Sequence, residues 1–119
     1  MQQRVSFYSG DHLLAADLSL PDGLAPGETR PGIVLCNGYT ATKELFLPET
    51  AAVLAGAGYA VLSFDYTGWG ESEGSRHCLA AFGRVMDAHA AVTFLGLQSA
   101  VDHTRVGVLG WSYGGATAI

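Results

Sequence analysis

The hydrophobic pattern near the start of the chain predicts a β-hairpin. Within Leu14–Leu20 the even positions are apolar, and the odd positions hold smaller or polar residues. This period of two is typical of a strand with one buried face and one face in water. A second short run, Val5–Ser9, lies upstream, and the turn residues Gly10 and Asp11 fall between the two runs. We expect an antiparallel hairpin, followed by a polar Pro- and Gly-rich loop over Pro21–Gly32.

Three later segments are apolar on both faces and are expected to be parallel strands. They are Ile33–Cys36, Ala60–Phe64 and Val106–Leu109. Runs without alternation are typical of parallel sheets that helices cover on both sides.

Two helical segments separate these runs. The first is expected to begin at Pro48, because proline suits the first helical turn, and to stop at Gly56 and Gly58. The second extends over Leu79–Leu95 and has one face that repeats at helical spacing. We expect this face to pack inward, and its residues are Phe82, Val85, Met86, His89, Val92 and Thr93. The alternation of strands and helices predicts one α/β domain with right-handed crossovers.

The composition limits the binding partners and the cellular location that we expect for this chain. The net charge is -5 and the basic residues are scattered, which argues against a nucleic-acid or anionic-membrane surface. No apolar stretch approaches the ~20 residues of a membrane span, and no signal-peptide pattern is visible, so a cytoplasmic location is expected. Cys36 and Cys78 are expected to be reduced and mostly buried. Since no metal-ligand cluster or phosphate loop stands out, we expect neither a metal nor a cofactor.

The segment GWSYG at Gly110–Gly114 fits the pattern G-x-S-x-G and carries the clearest chemical signal. It follows the apolar run Val106–Leu109 directly, and small residues after it open a helix. So tight a turn strains the backbone of Ser112, and Gly110 and Gly114 are needed because side chains there would collide with neighbouring elements. The corner projects the hydroxyl from the carboxyl edge of the sheet, where N–H groups at the start of a helix face a developing oxyanion.

Three stretches, taken in order, resemble the N-terminal half of an α/β-hydrolase. They are LCNGYTATKE at Leu35–Glu44, FDYTGWGESEG at Phe64–Gly74 and DHTRVGVLGWSYGG at Asp102–Gly115. The chain most resembles the dienelactone-hydrolase-like and Xaa-Pro-peptidase-like esterases and peptidases, and its elbow is also similar to that of prolyl-oligopeptidase-type peptidases. The resemblance implies an antiparallel β-hairpin followed by parallel strands with crossover helices.

The same resemblance implies roles for three residues. Ser112 is the nucleophile, the N–H of Tyr113 is one oxyanion donor, and the N–H of Tyr39 is the second, with the Tyr39 hydroxyl as the alternative. The family often has histidine before the glycine of the loop after the third strand, whereas this chain has Asn37. A backbone donor survives this exchange, but the hydrogen bonding that shapes the loop is expected to differ.

A serine nucleophile limits the chemistry to acyl transfer. Dienelactone hydrolase itself uses a thiol, and dehalogenases and epoxide hydrolases need an aspartate. The expected function is hydrolysis of an ester, and alternatively a thioester or amide, in a small-molecule acyl substrate through an acyl-enzyme. Aminopeptidase and acyltransferase activity stay open. So does a non-catalytic or truncated α/β-hydrolase-like protein that serves as an interaction module.

The base that a serine nucleophile needs does not follow Ser112 in this sequence, although the family order is Ser, then Asp or Glu, then His. Among the upstream histidines only His77 follows a loop on the active-site side, and it is expected to be a solvated loop residue. His12 is expected at the hairpin turn, and His89 is expected to pack within its helix. His103 is expected at the opposite end of the sheet from Ser112.

Several polar and aromatic residues near the motifs are expected to be structural. Asp65 and Ser72 should tie down a Gly-rich turn through backbone hydrogen bonds, and Asp102 should lie in the turn before the last strand. Trp69 and Tyr66 either line an acyl pocket or pack the loop.

The chain is expected to be an incomplete domain that stops just after the elbow. The residues 1–119 would form the N-terminal half of a longer hydrolase, and the run Val106–Leu109 would be left as an open hydrophobic edge.

The 119-residue chain alone is therefore expected to be inactive. Purified chain should hydrolyse a p-nitrophenyl ester no faster than its Ser112→Ala variant, because no base takes the proton of the hydroxyl. Release of p-nitrophenolate measures this. Turnover by the chain that Ser112→Ala abolishes would refute the expectation.

Overall fold

The computed structural model describes residues 1–45, 47–78 and 80–119. Along this part of the chain the elements are β1 (Gln2–Ser9), β2 (His12–Ser19), β3 (Arg30–Cys36), α1 (Leu47–Gly56), β4 (Ala60–Phe64), α2 (Ala81–Gly96), β5 (Val101–Gly110) and α3 (Tyr113–Ala118). The strands form a five-stranded sheet in the order β1-β2-β4-β3-β5.

The expected hairpin is present and forms one edge of the sheet. Strands β1 and β2 pair antiparallel, and Gly10 in the turn between them has φ +58°, which glycine adopts without strain. The expectation of a face in water was wrong for Asp17 and Ser19, since both are buried. The Asp17 carboxylate accepts a hydrogen bond from Arg4 Nε at 3.3 Å and lies 3.5 Å from Lys43 Nζ, so charged partners cover this face.

The rest of the sheet is parallel, as the unbroken apolar runs predicted. Strand β3 lies between β4 and β5 and is parallel to both, while β2 pairs antiparallel with β4. Leu35 and Val61 pack with Leu47 and Ala51 of α1 on one side of the sheet. The opposite side carries a larger cluster, closed by α2, that includes Val34, Cys36, Leu62, Phe64, Ala88, Ala91 and Leu95. Each central strand is therefore apolar on both faces because a helix covers each face.

Helix α2 turns a different face to the sheet from the one its pattern predicted. Phe82 is 77% exposed and Met86 is 51% exposed. Val85, His89 and Thr93 are also exposed, so the expectation that these five residues pack inward was wrong. The buried residues of the helix are Arg84, Asp87, Ala88, Ala91 and Leu95. The alanines let the helix lie close to the sheet, and the two charged residues are buried because loops supply their hydrogen-bond partners.

Strand β5 begins at Val101, earlier than the apolar run beginning at Val106 predicted. Asp102 therefore lies in the strand, not in a turn before it. Its carboxylate accepts hydrogen bonds from the N–H and hydroxyl of Thr104, at 3.0 and 2.6 Å, and the register with β3 shifts between Arg30 and Gly32. Within the described residues β5 pairs only with β3, so the expected open edge is present in this part of the chain.

The part of the chain described above contains no candidate membrane-spanning helix and no candidate metal site. None of its helices has both the length and the apolar character that crossing a bilayer demands. In the same residues no group of three or more His, Cys, Asp or Glu side chains could hold a metal ion.

The two cysteines differ sharply in exposure. Cys36 is fully buried at the end of β3, and burial raises the pKa of its thiol. Cys78 is exposed, so the expectation that both thiols are mostly buried was wrong for Cys78. Both are free thiols, as expected.

Iodoacetamide is therefore expected to alkylate Cys78 and to spare Cys36 in the folded chain. The thiolate is the reactive form, and Cys36 is both inaccessible and harder to ionise. Peptide mass spectrometry should find one modified cysteine in the folded chain and two in urea. The Cys78→Ser variant is the control and should take no label while folded. Equal rates at both cysteines in buffer would contradict this packing.

Candidate active site

Ser112 occupies the corner between β5 and α3. Its φ is +56° and its ψ is -131°, a combination that strains any residue with a Cβ. The side chain is exposed and makes no capping hydrogen bond to the helix that follows it. The hydroxyl is therefore presented to solvent at the carboxyl edge of the parallel strands.

Two glycines allow the corner to be this tight. A Cβ atom at Gly110 would collide with the carbonyl group of Gly114, and a Cβ atom at Gly114 would collide with the carbonyls of Cys36 and Asn37. Helix α3 therefore begins in direct contact with the end of β3. Ser112, Gly110 and Gly114 together form this corner.

The loop after β3 lies beside Ser112. A Cβ atom at Gly38 would be 3.8 Å from the Cβ of Ser112. Asn37 shapes this loop: its side-chain amide donates to the carbonyl of Thr42 at 2.6 Å, and its Oδ1 accepts the N–H of Gly38 at 3.0 Å. The N–H of Gly38 is thereby occupied.

The N–H groups of Tyr39 and Tyr113 are not occupied in this way. Neither donates a hydrogen bond to another of the described residues. Tyr113 is the first residue of α3, so its N–H has no carbonyl acceptor within the helix. The two tyrosine rings meet edge to face with centroids 6.3 Å apart, so the segments that carry these N–H groups are neighbours.

Arg84 of α2 also binds the loop after β3. The sequence analysis did not identify this residue. Its two terminal nitrogens donate to the carbonyls of Gly38 at 3.0 Å and Tyr39 at 2.6 Å. The side chain is 3% exposed, and its guanidinium carbon lies 4.1 Å from the centroid of the Tyr66 ring. Burial lowers the pKa of Arg84. The signal in the sequence was an arginine within a mostly apolar helical stretch.

Aromatic side chains surround this arrangement. Tyr39 and Trp69 meet edge to face at 6.2 Å, and the Trp69 indole N–H donates to the carbonyl of Cys78 at 3.3 Å. Tyr66 is 1% exposed, and its hydroxyl donates to the carbonyl of Asn37 at 3.4 Å. Burial raises the pKa of the Tyr66 phenol. Of the two alternatives for Tyr66, the structure favours packing of the loop.

Asp65 and Ser72 hold the Gly-rich turn, as expected. The Asp65 carboxylate accepts the N–H groups of Lys43 at 2.7 Å and Glu71 at 3.0 Å. The hydroxyl of Ser72 donates to the carbonyl of Asp65 at 2.6 Å. Burial raises the pKa of Asp65 in spite of these hydrogen bonds. A Cβ atom at Gly70 would collide with the same carboxylate, which explains the glycine.

Lys43 joins the other end of the loop after β3 to the hairpin. Its ammonium is fully buried, 2.9 Å from a carboxylate oxygen of Glu71 and 3.5 Å from one of Asp17. Burial opposes the charge, yet these carboxylates outweigh it and raise the pKa of Lys43. The loop is therefore fixed at both ends by side chains.

The histidines do not form a catalytic pair with Ser112. In the described part of the chain no histidine side chain is hydrogen-bonded to Ser112. The ring of His77 packs on Trp69 with centroids 4.8 Å apart, and its backbone has φ +58°. His12, His89 and His103 are also exposed, and His103 lies in the first half of β5, away from the corner.

A cavity of about 550 Å³ is lined in part by Arg84 and by no phenylalanine, tyrosine or tryptophan. It is bounded by the hairpin turn, the loop after Thr67 and α2, and its lining includes neither Ser112 nor the two N–H groups. This cavity is thus separate from the exposed serine.

Comparison with known proteins identifies relatives over most of the chain. A family model described as serine aminopeptidase, S33, matches residues 27–119. An uncharacterized 31.7 kDa protein of the traX-finO intergenic region of Escherichia coli is 33% identical over 106 residues, covering 88% of this chain and 37% of that protein. The thiohydrolase aneE of Aspergillus aculeatus is 39% identical over 115 residues, covering 94% of this chain and 36% of that protein. The chain thus spans little more than a third of these relatives.

Solved structures share the fold. The DcsB complex with its substrate analogue superposes with a TM-score of 0.91 at 22% identity, over 99% of this chain and 40% of that chain. A dienelactone hydrolase-like promiscuous phosphotriesterase, P91, from metagenomic libraries superposes with a TM-score of 0.80 at 23% identity, over 99% of this chain and 52% of that chain. The expected α/β-hydrolase fold is confirmed over these residues.

Replacing Gly114 by alanine is expected to destabilise the chain, because the new Cβ would collide with the carbonyls at the end of β3. Overpacking of this kind costs roughly 1–3 kcal/mol of unfolding free energy. Gly115→Ala is the matched control: it lies in the same helix, and its Cβ would approach nothing nearer than 3.6 Å. Urea unfolding followed by tryptophan fluorescence compares the two. Equal stability of both variants would contradict the close contact at Gly114.

Proposed function

The chain belongs to the serine aminopeptidase S33 family of α/β-hydrolases, and from this premise we propose that Ser112 is the nucleophile of an acyl-transfer hydrolase. The observation that carries the proposal is the backbone of Ser112, with φ +56° at the corner between β5 and α3. Strain of this kind persists only where surrounding contacts impose it. Here it turns an exposed hydroxyl outward beside two unoccupied N–H groups.

In the proposed reaction the Ser112 oxygen attacks the carbonyl carbon of an ester or thioester. The bond from carbon to the leaving oxygen or sulfur breaks, and the serine proton passes through a base to the leaving group. Water then attacks the acyl-serine, releases the acid and returns the proton to Ser112. Each half of the reaction passes through a tetrahedral oxyanion.

The N–H groups of Tyr39 and Tyr113 are the proposed donors to that oxyanion. Both lack an acceptor among the described residues, and they belong to segments that meet at Ser112. Backbone donors of this kind act without reorganisation, and removing one costs roughly 10²–10³ in kcat in known cases. The N–H of Gly38 is unsuitable because Asn37 already accepts it.

Thioesters and small esters are the proposed substrates. The relative aneE is named a thiohydrolase, and a further relative at 34% identity, af380 of Aspergillus fumigatus, is named a polyketide transferase. The exposed hydroxyl and the neighbouring rings of Tyr39 and Tyr113 suit an acyl group that approaches from solvent.

The general base is proposed to lie outside the 119 residues. The chain covers only 36–37% of the two curated relatives described above, and none of its histidines hydrogen-bonds Ser112 within the described residues. A histidine and an acid from the remainder of such a protein would complete the triad.

A fluorophosphonate probe tests this function on the protein encoded by the full reading frame that contains this chain. We expect covalent labelling at Ser112, found by peptide mass spectrometry, and none in Ser112→Ala. Ser99→Ala is the control, since it removes a hydroxyl remote from the corner and should label fully. Steady hydrolysis of p-nitrophenyl and thioester substrates should follow the same pattern. A folded protein that takes no label would support the non-catalytic alternative and sink the proposal.

A further inference from the structure

Arg84 is a buried cation that forms no ion pair with the described residues. Its side chain is 3% exposed, and no carboxylate of the described residues lies within ion-pair distance of it. Its Nε also lacks a hydrogen-bond partner in this part of the chain. An arginine stays charged in proteins, so its burial is costly unless the surroundings compensate.

The compensation comes from the loop beside Ser112 and from aromatic rings. Two carbonyls accept hydrogen bonds from the guanidinium, those of Gly38 and Tyr39. Its central carbon lies 4.1 Å from the ring centroid of Tyr66 and 5.4 Å from that of Tyr113, within the range of cation–π attraction. The charge of Arg84 is therefore directed at the loop, and the buried Asp87 of the same helix attracts it without forming an ion pair.

The carbonyl of Gly38 and the N–H of Tyr39 belong to one peptide group. The peptide is trans, so its C=O and N–H point in opposite directions. Arg84 holds the C=O at 3.0 Å, and the N–H must then point away from the guanidinium. This N–H is the one that has no acceptor and is proposed to bind the oxyanion.

We propose that Arg84 is a positioning residue for the oxyanion pocket, which fixes the plane of the Gly38–Tyr39 peptide and strengthens its N–H as a donor. The inference rests on the proposed function of Ser112. A charged donor on the carbonyl oxygen polarises the peptide, and hydrogen bonds in such a chain reinforce one another. The second bond, to the carbonyl of Tyr39, stops the loop from rotating about the first.

The kinetic test uses Arg84→Met and Arg84→Lys in the protein from the full reading frame. Arg84→Met should lower kcat by roughly 10–100-fold, less than the loss of a whole oxyanion donor, and leave KM within about twofold, because the donor acts on the transition state. Arg84→Lys keeps the charge but not the planar guanidinium. Its kcat should fall between those of Arg84→Met and the wild type. The matched control is Arg76→Met, since Arg76 also donates to loop carbonyls, those of Gly68, Gly70 and Ser72, but none beside Ser112.

An NMR test does not depend on activity. In the protein from the full reading frame, ¹³C-carbonyl glycine with ¹⁵N-tyrosine selects Gly-Tyr peptides, and the 119 residues contribute only two of these, Gly38–Tyr39 and Gly58–Tyr59. Arg84→Met should shift the Tyr39 amide proton upfield, because the carbonyl oxygen of the same peptide loses its charged donor. The Tyr59 amide, which donates to Leu54 at 3.1 Å, should stay in place as an internal reference.

The outcomes separate this inference from the proposed function. A wild-type protein without labelling or turnover defeats the function, and the Tyr39 signal still reports whether Arg84 holds the peptide. An active wild type with Arg84→Met as fast as Arg76→Met overturns the role of Arg84 and leaves the function standing. An unchanged Tyr39 signal in Arg84→Met also overturns it, as does a fall in thermal stability with kcat unaltered.

Discussion

The contact between Gly114 and the carbonyls that end β3 is the constraint on which the candidate site depends. Only a glycine allows α3 to begin there, and the helix start in turn forces the positive φ of Ser112. The same contact brings Ser112 beside Gly38, and with it the loop that carries the N–H of Tyr39. Backbone packing, more than any side-chain hydrogen bond, therefore sets the distance between the hydroxyl and the two N–H groups.

Side chains hold the loops that surround this corner. Asn37, Lys43 and Arg84 each fix a different part of the loop after β3, while Asp65 and Ser72 fix the Gly-rich turn beside it. Loops cannot satisfy their polar groups through a ladder of strands, so buried polar and charged side chains take over that task. Arg84 and Asp87 are buried for this reason, and both come from α2. The helix thus serves the site as well as the core.

The elements, the sheet direction and the corner at Ser112 could be predicted because they follow from local rules. Strands that are apolar on both faces predict cover on both sides, and a serine flanked by glycines after such a strand predicts a tight turn. The inward face of α2 could not be predicted, because alanine and a hydrogen-bonded arginine leave no hydrophobic signature while Phe82 and Met86 do. The start of β5 was missed since Asp102–Arg105 carry polar side chains bonded among themselves. Arg84 was missed because its partners are backbone carbonyls far away in sequence, which no pattern displays.

A crystal structure of the phosphonylated full-length protein tests the central claim most directly. The phosphoryl oxygen on Ser112 stands for the oxyanion of the tetrahedral intermediate. We expect this oxygen to lie within hydrogen-bond distance of the N–H groups of both Tyr39 and Tyr113, with Arg84 still bound to the carbonyl of Gly38. A phosphoryl oxygen that faces solvent, or that other donors hold, would contradict this expectation.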